Sequence, residues 1–342
     1  MRIPVPLAWL FLVITFFTAG LLRQYHDRTP TSPYVNPVAG SLLFVSCFFL
    51  LLVSAREWRR GAVGGQGVRL GSITPIMLML LIEKWVSLTL YEPLFAWLAP
   101  RDEPARLLDA RFRGLAGVAL ILVCLLVGRF SIPTARKTWR RARPSRWPVG
   151  AAVTAAVVGG GYALLGGLAY LLGGVFRLRW PDADALLWSV LWSQAVLAFA
   201  EEVYYRGLLL SEMERLAPRL GLRNPLGRRW AALLFTAGLF SLEHVRADSP
   251  TGEAPRYLVF TLALGLLLGL LVMVSANLHL TAGVHVWINW VVLGAAPVFV
   301  DEAGEPALPA GTYIGVTLIL AFAMVYLQQR LRRRRHGLPT KL

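Results

Sequence analysis

The composition of the chain excludes an ordinary soluble globular protein. Of its 342 residues, 56% are hydrophobic and only 16% are charged, whereas soluble domains average about 25% charged residues. The formal net charge of +16 would suit nucleic acid, but the basic residues are confined to short loops between apolar runs. We therefore expect a lipid bilayer around most of the chain and no nucleic-acid partner.

Apolar runs long enough for a helix to cross a hydrocarbon core of ~30 Å recur along the whole sequence. They predict an all-α, polytopic integral membrane protein with about ten transmembrane helices. The first run begins almost at Met1 and lacks a small-residue cleavage site, so we expect it to be retained as a helix. The predicted spans are 4–22, 38–54, 73–98, 114–130, 149–175, 185–210, 229–245, 256–276, 279–299 and 311–328.

The charges of the loops predict an orientation for these helices. Basic loops mark the cytoplasmic side of a membrane, and arginine-rich segments alternate here with mixed or acidic ones, so both termini are expected in the cytoplasm. The loop near 277–280 is an exception, because it should be cytoplasmic but has no basic residue. The bias towards arginine over lysine suggests a bacterial genome and hence the bacterial inner (cell) membrane. The arginine-rich segments are 55–70, 129–146, 211–229 and 330–335.

A domain boundary is predicted within residues 131–148, which are basic and interrupted by prolines. Residues 1–148 would then form an N-terminal transmembrane region of about four helices plus the basic loop. Residues 149–342 would form a C-terminal transmembrane region, with a catalytic core at about 185–295.

Glu201 and Glu202 stand side by side in an otherwise apolar run. A charged side chain at the centre of a bilayer costs roughly 2.5–3.5 kcal/mol on insertion scales, so such a pair indicates a functional site. Arg206 lies four residues after Glu202, shares its helix face and is predicted to pair with it. Glu201 lies about 100° further round the helix, so we expect the two carboxylates to have different roles.

Two later apolar runs each present a polar or aromatic pair at a spacing of four, Phe240 with His244 and His285 with Asn289. Polar groups in lipid must face one another or a water-filled cavity. A carboxylate beside a histidine can bind and deprotonate a water. A histidine N–H and an asparagine amide can hold the oxyanion that peptide hydrolysis produces.

These residue types predict roles for each member of the cluster. Glu201 and His244 are the candidate water activators, and His285 and Asn289 are the candidate oxyanion donors. The remaining two, Glu202 and Arg206, are expected to support the helix and to tune the acidity of Glu201.

The three motifs E-E-x-x-x-R, F-x-x-x-H and H-x-x-x-N, in this order and each on its own apolar helix, resemble the CPBP family. That family comprises the CAAX prenyl proteases of the Rce type and the bacteriocin-processing or immunity relatives called Abi proteins. The resemblance covers roughly residues 185–295 and implies an intramembrane endopeptidase of the glutamic type without a metal cofactor. It implies the same roles for Glu201, His244, His285 and Asn289. The expected substrate is a membrane-associated or C-terminally tagged protein or peptide.

Other interpretations of the same residues stay open. Glu201, His244 and His285 have the ligand types of a two-histidine, one-carboxylate zinc site, although H-E-x-x-H is absent, and a zinc-dependent intramembrane metalloprotease is the first alternative. The second is a non-enzymatic immunity or transport protein with a proton-carrying carboxylate. His279, Tyr204 and Tyr205 are interpreted as structural or packing residues.

One geometric difficulty remains in this scheme. Counted along their helices, His244 lies near the outer end of one span and His285 near the inner end of another. For the two to meet, one helix must be short, tilted or preceded by a re-entrant segment, and residues 276–284 are the predicted place for this feature.

Overall fold

The structure of the protein is a computed structural model, and it covers part of the predicted helices. Three of the predicted spans, 38–54, 73–98 and 114–130, lie outside the described residues, as does most of 4–22, so the count of about ten helices stays a prediction. The described residues are 2–8, 10, 12, 14, 68–69, 138, 140–171, 177–181, 185–244, 254–294, 296–301 and 304–335.

The described part of the chain is mostly helical, as the apolar runs predict. Each of the six spans predicted between residues 149 and 328 coincides with a helical segment whose ends differ from the predicted ones by at most seven residues. A short 3₁₀ turn, Pro144–Arg146, precedes the first of them. The helices are α1 (Trp147–Leu171), α2 (Ala185–Glu201), a π-helix (Glu202–Leu209), α3 (Leu210–Leu216), α4 (Pro225–His244), α5 (Ala254–Ser275), α6 (Leu278–Val292) and α7 (Ala310–Arg335).

Three helical stretches of the described chain are long and apolar enough to cross a membrane, Pro144–Leu168, Pro255–Ser275 and Ala310–Arg330. Helix α6 is apolar as well but has only 15 residues, so it is about 22 Å long. Helix α6 ends at Val292, seven residues before the predicted end at residue 299. A turn follows it, in which Gly294 has a φ of 68°.

The structure adds two small antiparallel sheets that hydropathy did not predict. Strand β1 (Arg2–Ile3) pairs with β2 (Val68–Arg69). Strand β3 (Arg177–Arg179) pairs with β4 (Val298–Val300), with Leu178 opposite Phe299. Strands of two or three residues are too short to show the alternating pattern by which strands are recognised in sequences.

The described residues divide into two compact units. The first comprises the described residues before Arg141 together with those of Val203–Gly269, and the second comprises those of Arg141–Glu202 and Leu270–Leu342. The boundary predicted at residue 148 stays a prediction, because most of the region before it lies outside the described residues.

Helix α6 lies at the centre of the second unit, where it packs against α1, α2 and α7. Glycines bring α1 and α6 together: a Cβ atom on Gly150 would lie 2.7 Å from Cβ of His279, and one on Gly283 would clash with Oγ1 of Thr154. Close helix approach at small residues is the usual packing mode within membranes. These contacts hold α6 firmly against its neighbours.

The connection between α5 and α6 consists of only two residues. Ala276 has a φ of 52°, in the left-handed region. Asn277 then caps α6, because its side-chain oxygen accepts hydrogen bonds from the backbone N–H groups of His279 at 3.0 Å and Leu280 at 3.4 Å. Residues 276–284 thus hold this two-residue connection and the first turns of α6, and α6 is short because it ends at Val292.

Candidate active site

The two glutamates lie where the helix changes its type. Glu201 is the last residue of α2 and Glu202 is the first residue of the π-helix. Single π-helical turns inside α-helices are frequent at functional sites. Glu202 is completely buried, whereas the side chain of Glu201 is 16% exposed. The two carboxylates therefore differ in their access to water.

His285 of α6 contacts both carboxylates. Its Nδ1 lies 2.9 Å from Oε1 of Glu202, and its Nε2 lies 3.6 Å from Oε2 of Glu201. The imidazole is buried. A carboxylate oxygen accepts hydrogen bonds, so Nδ1 is the donor and Nε2 is the nitrogen that faces Glu201. Three of the predicted site residues are thus brought together in the second unit.

The bond to Glu202 determines what the other nitrogen of His285 can do. With one proton held on Nδ1, Nε2 accepts a proton in the neutral ring and donates one in the protonated ring. The protonated form is the one that an oxyanion donor of this geometry requires. Glu202 therefore accepts a hydrogen bond from His285, a contact that was not predicted from the sequence.

Asn289 lies one turn after His285 on α6 and contacts α2 as well. Its Nδ2 donates to Oε1 of Gln194 over 3.3 Å. Gln194 is buried and lies seven residues before Glu201. Sequence reasoning did not identify Gln194, although a lone carboxamide in an apolar run, two turns from Glu201, is a signal of the same kind as the glutamate pair.

In the first unit, His244 is the last residue of α4. Its Nδ1 lies 2.7 Å from the carbonyl oxygen of Phe240, and the two rings are 4.1 Å apart. A carbonyl only accepts, so Nδ1 carries the proton and Nε2 is the basic nitrogen of the neutral ring. The spacing F-x-x-x-H thus places the histidine ring against the phenylalanine ring, with Nδ1 bound to the backbone carbonyl one turn before it.

Arg206 lies in the π-helix among aromatic rings. It is 2% exposed, and its guanidinium carbon is 4.3 Å from the centre of the Phe240 ring and 5.6 Å from that of Tyr205. A guanidinium within about 6 Å of a ring centre makes a cation–π contact. The hydroxyl of Tyr205 donates to the carboxylate of Glu243, so Tyr205 has a polar contact besides the packing role predicted for it.

His279 has the structural role that was expected of it. Its ring stacks on Phe199 at 5.3 Å, and its Nε2 lies 3.0 Å from the carbonyl oxygen of Ala142 and 3.1 Å from that of Arg143. These bonds fasten the first turn of α6 to the segment before α1. Tyr204 is buried and packs edge-on against Tyr205, as the sequence predicted.

The predicted site residues are distributed over both units. Glu201, Glu202, His285 and Asn289 belong to the second unit, and Arg206 and His244 to the first. The predicted pairing of Glu201 with His244, and of Glu202 with Arg206, joins residues of different units, and both stay predictions. Among the described residues no group of three or more His, Cys, Asp and Glu side chains could hold a metal ion.

Residues 183–291 match a known family, described as Type II CAAX prenyl endopeptidase Rce1-like. The matched segment holds all three motifs and coincides closely with the range 185–295. The resemblance to the CPBP family is therefore confirmed. No curated protein and no solved structure matches the chain.

Proposed function

We propose that this integral membrane protein, whose residues 183–291 form an Rce1-like protease domain, is an intramembrane endopeptidase of the glutamic type. It would hydrolyse a peptide bond of a membrane-associated or C-terminally tagged protein. The observation that supports this most is the contact of the buried His285 with both Glu201 and Glu202. Ionisable groups in apolar helices are costly, and they mark sites of chemistry or transport.

The first step is the activation of water. Glu201 is the more accessible of the two carboxylates, and it takes a proton from a water molecule that His244 helps to bind through Nε2. The oxygen of that water attacks the carbonyl carbon of the scissile bond. A new C–O bond forms, and the carbonyl π electrons move to oxygen to give a tetrahedral oxyanion.

The second step is stabilisation and collapse of the oxyanion. His285 and Asn289 donate hydrogen bonds to the negative oxygen, where donors held in advance contribute most. When the C–N bond breaks, the leaving amine takes the proton that Glu201 received. The products are a carboxylic acid and an amine, and Glu201 returns to its ionised form. Glu202 keeps the His285 ring in place throughout.

The remaining parts of the proposal concern location and substrate. The arginine-rich segments support a multi-pass protein of the bacterial inner membrane with both termini in the cytoplasm. The name of the matched family refers to C-terminal CAAX sequences, in which a prenylated cysteine anchors the substrate to the bilayer. A substrate whose C-terminal tag lies at the membrane suits a site formed by apolar helices.

The proposal is tested with purified protein in lipid vesicles and a quenched fluorescent peptide that ends in a farnesylated CAAX sequence. Wild-type protein should release fluorescence above the level of Glu201→Gln. In parallel, the C-termini of membrane proteins are compared by mass spectrometry in cells that express either form. New C-termini should appear only with the wild type. If neither assay distinguishes the two forms, the proposed function is wrong.

A further inference from the structure

The hydrogen bond between Gln194 and Asn289 connects a residue without an assigned role to a proposed oxyanion donor. Gln194 lies within an apolar helix, is 8% exposed, and its Oε1 accepts from Nδ2 of Asn289 over 3.3 Å. The residues one turn before and one turn after Gln194, Leu191 and Ala198, are both apolar. A buried carboxamide at this position therefore calls for a specific partner.

A second hydrogen bond joins α6 to the same helical run, between His285 and Glu202, the first residue of the π-helix that continues α2. Residues seven apart lie on one face of a helix, so Gln194 shares a face with Glu201. His285 and Asn289 are four apart on α6 and share a face as well. In both hydrogen bonds the donor lies on α6. His285 donates to Glu202, and Asn289 donates to Gln194.

The chemistry of a carboxamide explains why Asn289 needs such an acceptor. Rotation of the amide by half a turn exchanges Oδ1 and Nδ2, and a flipped Asn289 would present an oxygen, which repels an oxyanion. In the structure Oε1 of Gln194 faces Asn289, and because this oxygen can only accept, it pairs with Nδ2. The amide nitrogen has two protons, and one given to Gln194 leaves the second for the oxyanion.

We infer that Gln194 is a positioning residue that holds the carboxamide of Asn289 in its donor orientation. The inference rests on the proposed function, since it assumes that Asn289 stabilises the oxyanion. Gln194 would act only through Asn289 and would not touch the substrate.

The test is a double-mutant cycle of Gln194→Met and Asn289→Ala, measured in vesicles with the farnesylated CAAX peptide. Methionine keeps the length of the side chain but removes the acceptor oxygen. We expect Gln194→Met to lower kcat by about 10- to 100-fold, the loss typical of a displaced catalytic group, with little change in KM. In the Asn289→Ala background the same substitution should have no further effect. Trp192→Leu, at a position 73% exposed on α2, should keep the wild-type kcat.

A second variant separates positioning from packing. Gln194→Glu retains an acceptor oxygen. Asn289→Ala should therefore lower kcat by the same factor in this background as in the wild type. If a folded Gln194→Glu protein loses as much activity as Gln194→Met, or if the cycle is additive while the wild type cleaves the peptide, the inference is wrong and the proposed function stands. If the wild type does not exceed Glu201→Gln, the proposed function fails and the inference fails with it.

Discussion

The two adjacent glutamates differ in how deeply they are buried. Glu202 is completely buried and its carboxylate is bound to Nδ1 of His285. The side chain of Glu201 is 16% exposed and faces Nε2 of the same ring. The expectation that the two carboxylates have different roles thus has a physical basis, because a water activator must reach water and a group that orients a ring need not.

The first prediction concerns these individual side chains. Glu201→Gln and His244→Ala should each abolish cleavage of the farnesylated peptide, because water activation needs a base and a partner that holds the water. Both substitutions are expected to leave insertion and folding intact, as judged by protein level and by a single peak in size-exclusion chromatography. Turnover at the wild-type rate by either variant would show that the assigned roles are wrong.

The π-helix is the element that places Arg206 against an aromatic side chain of α4. Arg206 is buried against the face of Phe240, whose backbone carbonyl also receives the Nδ1–H of His244. Phe240 thus contacts both a predicted supporting residue and a predicted catalytic one. This explains why an aromatic residue precedes the histidine by one helical turn.

The second prediction concerns the stability of this element. Arg206→Ala should lower the melting temperature in detergent as well as activity. The substitution removes a desolvated cation–π contact of about 2 kcal/mol, and it removes the predicted partner of a buried carboxylate. If Glu202 depends on Arg206, the double variant Glu202→Gln/Arg206→Ala should melt at a higher temperature than Arg206→Ala alone. A double variant that is no more stable than the single one would show that charge pairing is not the reason.

The third prediction concerns the contact of α1 with α6. Gly150→Ala should lower the melting temperature, because its Cβ would lie 2.7 Å from Cβ of His279 and 2.9 Å from the backbone nitrogen of Leu280. The matched control is Gly159→Ala on the same helix, where no atom of the described residues outside the surrounding helix lies within 4 Å of the new Cβ. The control should melt at the wild-type temperature or slightly above it, since alanine favours helix. Equal melting temperatures for the two variants would contradict close packing at Gly150.

The family match covers only part of the whole molecule. Residues 183–291 match the Rce1-like family, while α1 and α7 lie outside this range and pack on α6 within the second unit. The helix that presents His285 and Asn289 is therefore supported by segments on both sides of the matched domain. Truncation to the matched residues would remove that support.

The fourth prediction distinguishes a metal-free enzyme from a zinc enzyme, which share Glu201 and the histidines. A metal would itself polarise the carbonyl, so loss of an amide donor should be mild. Without a metal, Asn289→Ala should lower kcat by about 100- to 1000-fold. We expect this larger loss, no stoichiometric zinc by elemental analysis, and full activity in chelator. Activity lost to chelator and restored by zinc would overturn the glutamic mechanism but leave the protease assignment intact.

The sequence by itself determined the helices between residues 149 and 328 and the resemblance to the family, and it supplied the residues that are proposed for the site. Apolar runs and four-residue spacings are local properties, and a costly carboxylate pair in an apolar run is visible without a fold. Tertiary structure alone decided that His285 binds Glu202 through Nδ1, that Gln194 meets Asn289, and that Tyr205 donates to Glu243. These contacts join residues that are distant in sequence, and their geometry depends on how the helices pack against one another, which no local pattern specifies.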